Sequence, residues 1–209
     1  VDGSEYARVL TGVGAPIEPP AAPAKQGFVF DGWDPALPAA MPGQDAVFLA
    51  LWQPVTDITL LAKDGSTTVI NQTGGLIYGL APGLSASDFE NNYVVVTGAG
   101  ELRITSPNGL FGTGTTVELL NAATSALVKT YTIVIYGDVN GDGSVDSIDA
   151  GTLVDVENYI ITWDPAADAA FIQAADLNGD GEIDSIDAGI TVDCENYIVT
   201  IDQSTGLVA

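Results

Sequence analysis

The chain has no histidine and only one cysteine among its 209 residues. Without histidine, a Ser-His-Asp triad, a histidine general base and a histidine-based zinc site are all excluded. One cysteine cannot form an internal disulfide, so the cysteine content does not indicate a redox compartment. The commonest catalytic and zinc-binding arrangements are therefore absent from this sequence.

Positive charge is also scarce, since 5 Lys and Arg face 28 Asp and Glu and the formal net charge is −23. Nucleic-acid phosphates and anionic membrane surfaces are bound by clustered basic side chains. We therefore expect no nucleic-acid and no membrane partner, and no apolar run approaches the roughly 20 residues of a membrane helix. No signal peptide is visible, and the abrupt beginning at Val1 indicates a fragment excised from a longer protein.

Composition changes twice along the chain, and 46% hydrophobic residues exclude global disorder. Residues 1–53 contain two of the three tryptophans and seven of the 11 prolines. Residues 54–136 have strand-like segments between turn signals, which predicts a small β-sandwich-like module. Within it, a short helix is expected to begin at Ser85, because Ser85 and Asp88 have capping-box spacing. Residues 130–209 hold 16 acidic residues and no Lys or Arg.

An internal repeat occupies this acidic stretch. Residues 137–162 read GDVNGDGSVDSIDAGTLVDVENYIIT, and residues 175–200 repeat this text at a period of 38, with 18 of 26 positions identical. Two copies of one short unit predict an internally two-fold module.

Each copy opens with the spacing of a calcium-binding loop. Calcium takes six to eight oxygen ligands, supplied at loop positions 1, 3, 5, 7, 9 and 12, with glycine at position 6 for the turn. Gly143 and Gly181 occupy position 6, and position 7 would contribute its main-chain carbonyl. Position 12 is Asp instead of the usual Glu. The predicted ligands are Asp138, Asn140, Asp142, Ser144, Asp146 and Asp149 in the first loop, and Asp176, Asn178, Asp180, Glu182, Asp184 and Asp187 in the second.

The same Asp, Asn and Gly residues could instead form plain solvated turns. Eight aspartates in two short loops argue against that reading, because their charges repel one another when no cation is bound. We therefore expect two Ca²⁺ ions, acting as the folding agent of the module.

The duplicated loops resemble a dockerin, the calcium-dependent adaptor that binds a cohesin in cellulosome-type assemblies. Each loop precedes a predicted helix, and the first follows the strand-like residues 128–136 instead of an entering helix. The resemblance implies an extracellular protein attached to a scaffold or cell surface. Residues 54–136 resemble the X-type modules that accompany dockerins.

Residues 1–53 resemble an internalin-type B repeat (Listeria–Bacteroides repeat), a small β-grasp unit, through residues 27–33, Met41-Pro42, Phe48 and Trp52. The predicted fold class is therefore multi-domain. It comprises a β-grasp-like module (1–53) and a β-sandwich-like module (54–136), followed by an all-α dockerin (137–209) with two calcium loop–helix repeats.

A stripe on each exiting helix is identical in the two copies, whereas the differences fall elsewhere, as at Thr152 and Ile190. Recent duplication would leave identity everywhere, so the uneven placement favours partner recognition. The dockerin resemblance implies that these outward positions contact cohesin, in two orientations related by roughly 180°. The predicted partner-binding residues are Ser147, Ile148, Gly151, Val154, Asp155 and Asn158, with Ser185, Ile186, Gly189, Val192, Asp193 and Asn196.

Other functions remain as alternatives. A calcium sensor would need an entering helix and a Met-rich groove, but the chain has one Met. No catalytic residue is predicted, because the repeat's aspartates have metal-loop spacing, although a catalytic domain could lie upstream of this fragment. A calcium-stabilised surface adhesin or carbohydrate-binding fragment is the main alternative, and it depends on the aromatic residues of the first 53 positions.

Overall fold

The computed structural model describes residues 6–10, 12–23, 25, 28–54, 57–107 and 109–208. Within them it has nine strands and four helices. The strands are β1 (Phe28–Asp34), β2 (Leu49–Pro54), β3 (Leu60–Ala62), β4 (Val69–Asn71), β5 (Leu76–Tyr78), β6 (Val94–Val96), β7 (Gly100–Thr105), β8 (Thr116–Asn121) and β9 (Leu127–Ile133). The helices are α1 (Ala86–Asn92), α2 (Ser147–Glu157), α3 (Ala169–Ala175) and α4 (Ser185–Glu195). None of these helices is long and apolar enough to cross a membrane.

The chain divides into two compact units, residues 1–59 with 97–100, and residues 60–96 with 101–209. The first unit contains the antiparallel pair β1–β2, with an irregularity between Phe30 and Gly32. Phe30 packs edge-to-face on Trp33 and Trp52, with ring centroids 5.2 and 5.9 Å away. Aromatic pairs prefer this geometry, so the three rings form a small apolar cluster. Gly27 of the B-repeat motif, like Val1, lies outside the described residues.

The second unit is built around a five-stranded sheet in the order β4-β5-β9-β8-β7. Strand β9 runs parallel to β5 and antiparallel to β8, while β3 and β6 form a separate antiparallel pair. Helix α1 begins after Ser85, whose side chain accepts from Asp88 N while the Asp88 carboxylate accepts from Ser85 N. The capping box predicted for this helix is therefore confirmed.

Residues that follow directly on the sheet belong to the hydrophobic core of the acidic repeat. Its buried members include Val134 and Tyr136, directly after β9, and Leu153 on α2. The residues that α2 and α4 bury between them are mostly small, such as Ala150 and Ala188. The two helices pack on each other, and the partly buried Leu76 and Tyr78 of β5 pack against the same core.

This shared core contradicts the predicted fold class. The chain is a mixed α/β protein with four helices and several sheets among its described residues, and the acidic repeat is not a separate all-α domain following β domains. The prediction was wrong because it treated the strand-like residues 128–136 as the end of one module. Their last residues instead enter the core of the next. As sequence modules, the ranges 1–53, 54–136 and 137–209 stay predictions.

The segment after α4 folds back onto the beginning of the repeat. The Gln203 side chain accepts from Tyr136 N at 2.8 Å and donates to Tyr136 O at 2.9 Å. Gly79 N donates to Gln203 O at 2.7 Å, and Ile201 bridges to Val208. The residues that flank the two ends of the repeat are therefore hydrogen-bonded to each other.

Candidate metal centre and partner-binding face

Asp138 opens the first acidic loop and is fully buried. Its Oδ1 accepts from Gly141 N at 2.7 Å. Its Oδ2 accepts from Gly143 N at 3.0 Å and from Thr113 N at 2.8 Å. Burial raises the pKa of Asp138, and these N–H donors oppose that effect. Backbone groups thus orient a carboxylate whose negative charge burial alone would disfavour.

Asp149 closes the first loop and is also fully buried. Its Oδ1 accepts from Val139 N at 2.9 Å and Asn140 N at 3.1 Å, and its Oδ2 accepts from Asp146 N at 3.0 Å. The last of these bonds is half of a capping box that begins α2. Burial, the largest cause, raises the pKa of Asp149 to about 6. One side chain therefore both ends the loop and starts the helix.

The middle of the loop is a succession of side-chain-to-backbone turns. Asn140 Oδ1 accepts from Asp142 N, and Asp142 Oδ1 accepts from Ser144 N, both at 2.8 Å. Asp146 Oδ1 accepts from Ile148 N at 2.8 Å and caps α2. Such local bonds are the ones that Asn and Asp favour outside helices, which explains why this sequence folds as a compact loop.

The second loop repeats most of this pattern in a more exposed setting. Asp176 accepts from Gly179 N at 2.7 Å and from Gly181 N at 3.1 Å. Asp187 is fully buried and accepts from Leu177 N and Asp184 N, again as half of a capping box. Asn178 accepts from Asp180 N, and Asp180 accepts from Glu182 N. Asp180 and Glu182 are exposed, whereas Asp142 of the first loop is half-buried.

Carboxylate, amide and carbonyl oxygens are the donor set that calcium takes, and residues 130–209 offer no basic side chain to balance the charges. In the part of the chain that the structure describes, no group of three or more Asp, Glu, Cys or His side chains converges as a preformed metal cluster. Backbone N–H groups instead hold the loop oxygens. The oxygen donors of the loops, with no basic side chain among residues 130–209, fit a hard cation such as calcium.

The twelve predicted partner-binding residues lie on α2 and α4 or at their ends. Ile148 and Ile186 are 64% and 55% exposed, and a Cβ added to Gly151 or Gly189 would meet nothing within 4 Å. The stripes of both helices line one open groove, formed by Ile148, Gly151, Val154, Asp155, Gly189, Val192 and Asp193 among others. Ser147, Asn158, Ser185 and Asn196 are exposed at the helix ends. The fold thus brings the two copies of the stripe onto one surface.

Two tyrosines at the ends of these helices were not among the predicted binding residues. Tyr159 and Tyr197 both have φ of 58° and are 85% and 96% exposed. Ile160 and Ile198, the next residues along the chain, are 72% and 69% exposed. The sequence contains a feature that could have pointed to these exposed residues, because both copies of the repeat have Glu-Asn-Tyr-Ile at the end of the stripe.

Residues 136–190 match the family model described as Dockerin type I domain. The C-terminal part of this 209-residue chain is therefore identified as a dockerin, as the sequence predicted. Dockerins are non-catalytic, calcium-dependent modules that bind cohesins, and they occur in extracellular cellulosome proteins. The X-type and B-repeat resemblances upstream of the match stay predictions. No curated protein and no solved structure matches the chain significantly.

Proposed function

We propose that this chain is an assembly adaptor that binds a cohesin in the presence of calcium and thereby attaches an extracellular protein to a cellulosome-type scaffold or a cell surface. The observation that carries the proposal is the duplication of an acidic loop together with its exposed helix stripe, both stripes lining one groove. A groove of this kind suits a protein partner, since it is open, its charged side chains are all acidic, and apolar side chains flank them.

Two calcium ions would be held, one by each loop, through the twelve loop residues predicted from the sequence. When bound, calcium supplies the positive charge that these loops lack, and it favours the ionised form of the buried carboxylates. Asp138, Asp149 and Asp187 support this assignment, because each is fully buried and acidic.

The partner would present apolar groups opposite Ile148 and Ile186, and Lys or Arg opposite Asp155 and Asp193. Charge complementarity supports this choice, since α2 and α4 carry no basic residue. The matching stripes also support two binding orientations, each using a different helix as the main contact.

The chain itself would be non-catalytic, with any enzyme activity residing elsewhere in the parent protein. The adhesin or carbohydrate-binding alternative has less support, because Phe30, Trp33 and Trp52 pack on one another and are not fully exposed. Packing of this kind is typical of a small core.

Titration calorimetry against a panel of cohesins, in calcium and in chelator, tests the proposal. We expect one or more cohesins to bind in calcium and none in chelator, and a cohesin paired with a different dockerin class serves as the negative control. Binding that is unaffected by chelator, or no binding to any cohesin of a broad panel, would contradict it.

A further inference from the structure

The first acidic loop has a neighbour that the second loop lacks. Residues 111–114, which lie between β7 and β8 and contain no proposed calcium ligand, pack directly on it. Thr113 N donates to Asp138 Oδ2 at 2.8 Å, and Thr113 itself is fully buried. This hydrogen bond joins residues 25 positions apart in sequence.

Gly112 shows how close this approach is. A Cβ added to Gly112 would lie 2.5 Å from Gly143 N, 2.6 Å from Asp138 Oδ2 and 2.7 Å from Gly141 O. All three atoms belong to the first loop, and real Cβ atoms do not approach so closely. Residue 112 therefore has to be glycine if the segment is to stay in contact with the loop.

Two further segments contact the same loop. Gly83 N donates to Gly143 O at 2.8 Å. The Phe171 ring lies against Gly114 and Gly141, where added Cβ atoms would meet it at 2.8 and 3.5 Å. The first loop is thus enclosed by the sheet region on one side and by α3 on another.

The second loop is an internal comparison, because its sequence is nearly the same. Asp176 accepts two backbone N–H bonds, both from its own loop, whereas Asp138 accepts two equivalent bonds and a third from Thr113. Asp138 is fully buried, but Asp176 is only partly buried. Segment 111–114 accounts for the added donor.

We propose that residues 111–114 are a structural wall of the first calcium site, so that the two sites are unequal: the first retains its ion longer than the second. The proposal rests on the proposed function, since it takes calcium as the occupant of both loops. A hydrogen bond from Thr113 orients Asp138 before an ion arrives, and burial slows the exchange of the ion with water. The second loop lacks this hydrogen bond, and its first aspartate, Asp176, is only partly buried.

Calcium release into an excess of fluorescent chelator tests the inference on the whole chain. We expect two phases of equal amplitude, the slower at least tenfold slower than the other. Asp176→Ala should remove the fast phase and leave the slow one. Gly112→Ala should accelerate the slow phase about tenfold, whereas Gly43→Ala, where an added Cβ meets nothing within 4 Å, should change neither.

Hydrogen exchange gives a second readout, which does not depend on the Gly112→Ala variant. Calcium should slow exchange of the amides of residues 111–114 at least tenfold, and Asp138→Ala should abolish this effect while Asp176→Ala retains it. Equal release rates for the two ions, or exchange in 111–114 that ignores calcium, would overturn the inference and leave the adaptor intact. Absence of bound calcium in the chain before mixing would overturn the inference and the proposed function together.

Discussion

A single aspartate at the end of each acidic loop has two structural roles. Asp149 and Asp187 each accept the backbone N–H of a helix N-cap residue, and each is also the last proposed ligand of its loop. A helix N-terminus favours negative charge, and so does a bound cation. The same carboxylate therefore links the folding of the helix to the loading of the loop.

Replacement of Asp149 by Asn separates these roles. In calcium, we expect Asp149→Asn to lower the free energy of unfolding by about 2–3 kcal/mol, the stabilisation lost when a ligand at about 100 times its Kd no longer binds. In chelator, the loss should be smaller, about 1 kcal/mol, because the variant no longer buries an uncompensated charge, whereas its amide nitrogen cannot accept an N–H bond as the replaced oxygen does. Urea unfolding in the two buffers measures both values.

Asp45→Asn is the matched control, since Asp45 is exposed and lies outside the loops. It should give the same unfolding free energy as the original chain in both buffers. Equal destabilisation by Asp149→Asn with and without calcium would mean that Asp149 acts only as a helix cap.

Tyr159 is a second residue whose environment makes a prediction. A non-glycine residue with φ near +60° costs roughly 1–2 kcal/mol, and the Tyr159 side chain is too exposed to regain this through packing. We expect Tyr159→Gly to raise the free energy of unfolding by about 0.5–1 kcal/mol, partly offset by the greater freedom of glycine in the unfolded chain. Thermal unfolding measures it, and Tyr159→Phe, which keeps the Cβ, should have no effect. A loss of stability in the glycine variant would show that the ring packs in solution.

At the level of elements, α2 and α4 present equivalent surfaces to one groove. If either helix can be the main contact, changing one stripe leaves the other orientation available. We expect Ile148→Ala with Asp155→Ala to weaken cohesin binding by no more than about twofold, because one of two equal orientations is lost. Adding Ile186→Ala and Asp193→Ala should reduce affinity at least 100-fold, since a few central residues carry most of an interface's energy. Calorimetry measures both affinities.

Exposed positions at the last residue of each helix, outside the stripes, provide the control for this experiment. Glu157→Ala with Glu195→Ala changes two exposed side chains outside the stripes and should leave the affinity unaltered. A large loss of binding from the α2 changes alone would reject the second orientation without rejecting cohesin binding.

At the level of the whole molecule, the second compact unit unfolds as one if its core is truly shared. Tyr136 packs edge-to-face on Tyr78 at 6.0 Å and is 6% exposed. We expect Tyr136→Ala to lower the free energy of unfolding by about 3–5 kcal/mol, as for other large aromatic truncations in cores. Helical circular dichroism, which reports mainly on α2 and α4, and hydrogen exchange of the β8 and β9 amides, which reports on the sheet, should be lost at the same denaturant concentration. Helix loss at a different denaturant concentration from the sheet signal would indicate separate domains.

The features that could be predicted from the sequence are the local ones. A capping box such as Ser85 with Asp88 spans four residues, and the loop spacing spans twelve, so each can be recognised in a short stretch of text. The shared core and the contact of Thr113 with Asp138 could not be predicted in this way. They depend on pairing between segments far apart in sequence, such as β5 with β9. The hydrophobic periodicity of one segment does not reveal which distant segment it pairs with.

The pair of hydrogen bonds between Tyr136 and Gln203 has a mechanical consequence. A pull transmitted along the chain from upstream of the repeat reaches Tyr136 before it reaches either helix of the groove. There it meets hydrogen bonds to the far end of the same repeat, which must rupture before the acidic loops can be drawn out. Such a pull is therefore resisted at this junction as well as in the sheet, away from the surface proposed to bind a cohesin.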